Sequence, residues 1–122
     1  MPKIMFVDDE LQSLSILRRF FERRGYTVFT AKEGNEGLAL CKEEKPDIVV
    51  TDLNMSENCI TDMDGDEMAR NIKSLFPDIP IIMLTARDIR NYPRILETVD
   101  LCLTKPTDLK LLADQIEMLL TQ

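Results

Sequence analysis

The residues of this chain that could do chemistry stand at the ends of apolar runs. They are two adjacent carboxylates, a third carboxylate, a hydroxyl and an ammonium group: Asp8, Asp9, Asp52, Thr85 and Lys105. A single aspartate after a strand is most often a turn former. The placement of all these groups after separate apolar runs points instead to one shared site.

Such a cluster has predictable chemistry. Carboxylates held close together repel one another, so at least one pKa rises unless a cation compensates. Oxygen ligands suit a hard divalent ion, and Mg²⁺ suits an open, partly hydrated site better than zinc or copper would. A magnesium ion beside Lys105 and Thr85 forms a receptor for a phosphoryl group, and a carboxylate is a competent nucleophile for it. Asp52, alone at the end of its strand, is the predicted acceptor.

The elements that must position these groups alternate along the chain. Strands buried on both faces are predicted for the apolar runs at residues 4–7, 26–29, 48–50, 79–84 and 99–103. Helical patterns lie between them; the first is expected to stop at Gly25, and the last to begin at Thr107 or Asp108. The alternation predicts an α/β fold with a five-stranded parallel sheet and helices on both faces. Ligands bind beyond the carboxyl ends of such strands.

Composition narrows the class of protein. The chain has 122 residues, enough for one domain, and its net charge of −7 argues against nucleic acid or an anionic membrane as a direct partner. No apolar stretch approaches the roughly 18 residues that span a bilayer, and the N-terminus does not resemble a signal peptide. Because histidine is absent, Ser-His, Cys-His and His-metal chemistry is excluded. Three cysteines without a CxxC pattern indicate a reducing, cytoplasmic location.

Together these motifs resemble the receiver domain of two-component response regulators. The matching segments, in the family's order, are Val7-Asp8-Asp9-Glu10, residues 46–55, Met63-Asp64-Gly65, Leu84-Thr85-Ala86 and Leu103-Thr104-Lys105-Pro106. Each segment is a weak signal alone, but together they span nearly the whole chain. The resemblance implies one receiver domain over residues 1–122, with a (βα)5 flavodoxin-like, doubly wound fold.

The resemblance also implies which residues bind the metal, which one carries the phosphate and which ones control its loss. Asp52 would carry the aspartyl phosphate. Asp9 would ligate Mg²⁺ directly and Asp8 would assist through water. The backbone carbonyl of Asn54 would be a further Mg²⁺ ligand. Asn54 and Arg87 would tune dephosphorylation by controlling the access of water.

Further roles and partners follow from the same family. Thr85 would hydrogen-bond the phosphoryl group, and Lys105 would pair with it, aimed by a cis peptide between Lys105 and Pro106. The donor would be a phosphohistidine on a sensor histidine kinase or a histidine phosphotransfer protein. Phosphorylation would switch the surface that binds an output protein or a fused output domain. Such a domain catalyses only its own phosphorylation and dephosphorylation.

The chain departs from the family's pattern in three places. Seven residues separate Met55 from Met63, so this loop beside the site is long; it either gates the site, contacts a partner, changes the phosphoryl lifetime or is a tolerated insertion. Cys102 replaces the usual switch aromatic, so the coupling is expected to be absent or rerouted through Tyr92. Pro93 predicts a shortened fourth helix, a stub over residues 93–98.

The sequence leaves one alternative function open and disfavours two others. A pseudo-receiver adaptor that is never phosphorylated stays open, because the long loop could cover Asp52. A Mg²⁺-dependent aspartyl-phosphate phosphatase is disfavoured, because Asn54 stands where such enzymes carry an acid/base carboxylate. A flavin binder is disfavoured by the acidic turn after the first strand. There is no P-loop or dinucleotide motif, and the EF-hand pattern fails around Gly65.

Overall fold

Five strands and four helices organise the part of the chain that the structure, a computed structural model, describes: residues 2–52, 65–85, 97–104 and 108–121. The strands are β1 (Lys3–Val7), β2 (Thr27–Ala31), β3 (Ile48–Asp52), β4 (Ile81–Thr85) and β5 (Leu101–Thr104). The helices are α1 (Leu11–Arg23), α2 (Gly34–Glu44), α3 (Gly65–Leu75) and a C-terminal helix (Leu109–Leu120). The α/β class that the sequence predicts is therefore confirmed.

The strands form one sheet in the order β2-β1-β3-β4-β5, and every neighbouring pair is parallel. From β1 the chain winds outward to β2, then returns past β1 to β3 and continues in the other direction. The winding direction therefore reverses between β1 and β3. In open α/β sheets, the crevice beyond such a reversal is where ligands bind.

Apolar side chains cover both faces of the sheet. On one face, α2 and α3 pack against alternate strand residues, including Met5, Val7 and Val49. On the other face, α1 and the C-terminal helix pack against the strand residues that alternate with these, including Ile4, Phe6 and Val50. Successive residues of a strand point to opposite faces, so a strand buried on both sides reads as a continuous apolar run.

Gly25 ends α1 as the sequence predicts. Its φ of 96° lies in the left-handed region that favours glycine. The amide of Gly25 donates to the carbonyl of Glu22 at 3.1 Å. The amide of Tyr26 donates to the carbonyl of Phe21, also at 3.1 Å. The rings of Phe21 and Tyr26 meet edge to face, 5.8 Å apart. Because Tyr26 completes this helix cap, β2 begins at Thr27 and not at residue 26 as expected.

The predicted starts of β4 and β5 were each two residues early. Pro80 has no amide hydrogen, although its carbonyl accepts from the amide of Val49 at 3.0 Å, so regular pairing of β4 starts at Ile81. Before β5, Asp100 forms a turn in which its amide donates to the carbonyl of Ile81 at 2.9 Å.

Two further expectations concern helix starts. The C-terminal helix is capped by Asp108, whose side chain accepts from the amide of Lys110 at 2.8 Å, while Thr107 lies outside the described residues. The predicted stub helix covers residues 93–98. Residues 93–96 lie outside the described part of the chain, and Glu97 and Thr98 are helical.

Candidate functional site

The pairing of β1 with β3 places two of the predicted acidic residues side by side. Val7 pairs with Thr51, so the next residue along each chain is an aspartate, Asp8 after β1 and Asp52 at the end of β3. Asp9 follows Asp8. One carboxylate oxygen from each of the three aspartates lies within 4.8 Å of the others. The structure thus brings these side chains together at the crevice where the sheet reverses its winding.

The three aspartates have different surroundings. Asp8 is buried, with 6% of its surface exposed, and its amide donates to the carbonyl of Ala31 at 3.0 Å. Its Oδ1 accepts from the amide of Glu10 at 3.0 Å. Asp9 is exposed and Asp52 is half-buried. The backbone therefore holds Asp8 in place, while the side chain of Asp9 faces the solvent side of the cluster.

Electrostatics at the cluster favour a bound cation. Partial burial, followed by the charge and hydrogen bond of Asp8 and the charge of Asp52, raises the pKa of Asp9. A divalent cation would offset the part of this shift that the neighbouring carboxylate charges cause. The donor set consists of carboxylate oxygens, which fit a hard ion such as Mg²⁺ and not a soft one. The residues that the structure describes therefore fit the predicted magnesium site.

Thr85 stands at the same edge of the sheet. Asp52 pairs with Leu84 of β4, so Thr85 lies one residue beyond the level of Asp52 on the neighbouring strand. It is buried, with 2% of its surface exposed, and it pairs in turn with Thr104 of β5. The end of β4 therefore brings a hydroxyl-bearing residue to the same edge of the sheet as the carboxylate cluster.

Cys102 lies on β5, two residues before Thr104. It pairs with Met83 and packs against the apolar cluster under α2 and α3. It is half-buried and not disulfide-bonded, and burial raises the pKa of its thiol. A short thiol in this position lacks the reach of an aromatic ring. The absent or rerouted switch coupling stays a prediction.

One residue of this neighbourhood is not predicted from the sequence. Thr51, the residue before Asp52, is fully buried, and its Oγ1 donates to the backbone carbonyl of Asp52 at 3.0 Å. The available signal was a hydroxyl-bearing residue inside the otherwise apolar run Ile48-Val49-Val50.

Several predicted site features fall outside the described residues. They are Asn54, the long loop from Met55 to Met63, Arg87, Tyr92, and the Lys105–Pro106 peptide. Their roles stay predictions. Within the described ranges, no helix combines the length and apolarity needed to cross a membrane.

Comparisons with known proteins agree on one family. The family model of the response regulator receiver domain matches residues 4–117. A curated relative, the alkaline phosphatase synthesis transcriptional regulatory protein PhoP of Bacillus subtilis, is 38% identical over 86 residues, which are 70% of this chain and 34% of that protein. The chain thus matches only about a third of the length of its curated relatives, 34% and 35% in two cases.

Solved structures share the whole fold. A CheY-like response regulator receiver domain protein from Methanospirillum hungatei has a TM-score of 0.91 and 25% identity, covering 99% of this chain and 94% of that one. The response regulator protein TrrA from Thermotoga maritima, in complex with Mg²⁺-BeF, has a TM-score of 0.85 and 28% identity, covering 98% and 99%. With its acidic cluster at the carboxyl edge and a family match over nearly its full length, this chain belongs to the response regulator receiver domains of two-component systems.

Proposed function

We propose that this chain accepts a phosphoryl group on Asp52, in the presence of Mg²⁺, and so acts as a phosphorylation switch over residues 1–122. The observation that carries the proposal is the meeting of Asp8, Asp9 and Asp52 within 4.8 Å at the crevice of the sheet. A cluster of this kind serves stability poorly, because like charges repel, but it provides both a nucleophile and a cation site.

The residues present would hold the ion between them. Asp9 and Asp52 would ligate Mg²⁺ directly, Asp8 would act through water, and the backbone carbonyl of Asn54 would complete the protein's share. When bound, the ion supplies positive charge that neutralises the phosphoryl oxygens during transfer. The crystal of the Thermotoga relative with Mg²⁺-BeF is consistent with an ion and a phosphoryl analogue in this family.

The transfer itself needs one bond made and one broken. A carboxylate oxygen of Asp52 attacks phosphorus in line with the departing nitrogen of a phosphohistidine. The phosphorus–nitrogen bond breaks, and the donor imidazole takes the electron pair. Lys105, aimed by a cis peptide to Pro106, would pair with the transferred group. In its carboxylate form, Asp52 would need no general base to attack phosphorus.

Thr85 would couple the charge of the new phosphoryl group to the conformation of the rest of the domain. Its hydroxyl would move to donate to the phosphoryl oxygens, and the end of β4 would follow. Because Cys102 stands where an aromatic would respond, this movement would be passed on by another route, with Tyr92 as the candidate. Asn54 and Arg87 would set the lifetime of the phosphoryl group by controlling water.

Family membership gives the general class of partners. Receiver domains of two-component systems work with histidine kinases and output domains, and for this chain we propose a sensor histidine kinase or histidine phosphotransfer protein as donor. An output protein or a fused output domain would read the switched surface. The acidic chain itself would contact neither nucleic acid nor a membrane and would act in the cytoplasm, catalysing only its own phosphorylation and dephosphorylation.

The test is intact mass after incubation with acetyl phosphate and Mg²⁺. Wild type should gain the mass of one phosphoryl group only when Mg²⁺ is present, and Asp52→Asn should gain none. Asp114→Asn, an exposed aspartate on the C-terminal helix, is the matched control and should behave as wild type. No gain in wild type, together with no binding of beryllofluoride, would point to the phosphorylation-independent adaptor instead.

A further inference from the structure

Thr51 is a polar residue in an apolar place. It is fully buried in β3, where its ladder neighbours are Val7 of β1 and Met83 of β4. Both neighbours belong to the apolar cluster under α2 and α3. Since side chains alternate along a strand, Thr51 shares this face with Val49, while Asp52 takes the opposite orientation. A valine of the same shape would suit this environment without placing a hydroxyl in it.

The hydroxyl of Thr51 has a specific partner at the site. Its Oγ1 donates to the backbone carbonyl of Asp52 at 3.0 Å. Asp52 is the last residue of β3, so this carbonyl belongs to the peptide through which the chain leaves the sheet. A hydrogen bond to that oxygen restrains the ψ angle of Asp52, and with it the frame from which the Asp52 carboxylate projects.

We propose that Thr51 is a positioning residue for phosphoryl transfer, acting through the carbonyl of Asp52. Holding this peptide fixes where the acceptor carboxylate lies relative to Asp8 and Asp9. The inference rests on the proposed function, because it assigns Thr51 a part in preparing Asp52 for that reaction.

A positioning role can be separated from a packing role by isosteric substitution. Thr51→Val keeps the shape and removes the hydroxyl, so we expect it to resist urea at least as well as wild type. Loss of the hydrogen bond to the Asp52 carbonyl is expected to slow phosphorylation by acetyl phosphate about three- to tenfold. It should also weaken beryllofluoride binding, measured by ¹⁹F NMR at fixed Mg²⁺. Thr27→Val, the same change at the exposed start of β2, should alter neither quantity.

A second pair of variants covers the case in which Thr51→Val does not fold as expected. Thr51→Ser and Thr51→Ala both lose the buried methyl group and should lose similar stability, but only serine keeps the hydroxyl. Faster phosphorylation of the serine variant than of the alanine variant supports the proposal. Equal rates in this pair, or a wild-type rate in Thr51→Val, would overturn it.

The two proposals fail in different ways. If wild type gains a phosphoryl group on Asp52 and Thr51→Val gains it equally fast, only the role of Thr51 is wrong. If wild type gains none under the same conditions, the proposed function is wrong and the role of Thr51 falls with it.

Discussion

The amino edge of the sheet, where the strands begin, and the carboxyl edge, where they end, differ in the described contacts of their carboxylates. At the amino edge, the carboxylate of Asp100 accepts from the amide of Ile81 at 2.7 Å and forms an ion pair with Lys73 at 2.8 Å. The same Lys73 ammonium donates to the carbonyl of Ile79 at 2.8 Å. At the carboxyl edge, one oxygen from each of three carboxylates, Asp8, Asp9 and Asp52, lies within 4.8 Å of the others.

At the amino edge the described carboxylates therefore hold the fold together, whereas the cluster at the carboxyl edge is where we propose that a cation binds. The amino edge joins carboxylates to cations and amides, which stabilises the starts of strands; the carboxylate of Asp47 likewise accepts from the amide of Lys3 at 2.7 Å. At the carboxyl edge, burial and then the charges of Asp8 and Asp52 raise the pKa of Asp9. Binding sites are often formed at the expense of local stability in this way.

Magnesium should have the largest effect on this contrast, because its positive charge would offset the mutual repulsion of the three clustered carboxylates. At a hundredfold excess over its dissociation constant, a ligand that binds only the folded state adds about 2.7 kcal/mol to the free energy of unfolding. We expect urea unfolding of wild type to show a gain of this size with Mg²⁺. Asp9→Asn should show little gain. A similar gain in both proteins would place the ion elsewhere.

Asp100→Ala should destabilise the fold at the amino edge without changing the rate of phosphorylation. The variant leaves the amide of Ile81 and the ammonium of Lys73 without this carboxylate, so we expect a loss of about 2 kcal/mol in unfolding free energy, discounted for partial exposure. Phosphorylation by acetyl phosphate should keep its wild-type rate at a temperature where the variant is folded. Asp114→Ala provides the control for removing an exposed carboxylate, and a stability loss as large there would undo the comparison.

Lys45 offers a smaller test at the amino edge, where it ends α2. Its φ of 48° and ψ of 66° lie in the left-handed region, which costs a residue with a side chain more than it costs glycine. Lys45→Gly should therefore raise the unfolding free energy by about 0.5 kcal/mol, the relief of strain being partly offset by the flexibility of glycine when unfolded. Lys45→Val should lower it. The opposite order of these two variants in urea would show that the conformation is not strained.

The smallest expected effect is the pH dependence that Asp9 contributes. Its folded pKa is raised above the ordinary 3.8, so between these two values the folded protein binds more protons than the unfolded chain. The stability from this group is present below pH 3.8 and is lost as pH rises through the folded value. Without Mg²⁺, Asp9→Asn should be slightly more stable than wild type at neutral pH, and the gap should narrow in acid. A gap independent of pH would contradict the raised pKa.

Much of the fold could be predicted because its signals are local. A strand buried on both faces is a continuous apolar run, and a helix stop at Gly25 needs only a residue that accepts positive φ. The starts of β4 and β5 were predicted less well. They depend on Pro80 and Asp100, whose hydrogen bonds reach residues of other strands and are not visible in hydropathy.

By itself the sequence determined which chemical groups follow the strands, and therefore the family and the kind of site. Only the tertiary structure decided the register that sets Asp8 beside Asp52, the burial that distinguishes Asp8 from Asp9, and the bond from Thr51 to the carbonyl of Asp52. The physical reason is the distance along the chain over which each effect acts. Residue type and periodicity act within a few residues of chain, whereas distances between strand ends are set by the pairing and packing of segments far apart in sequence.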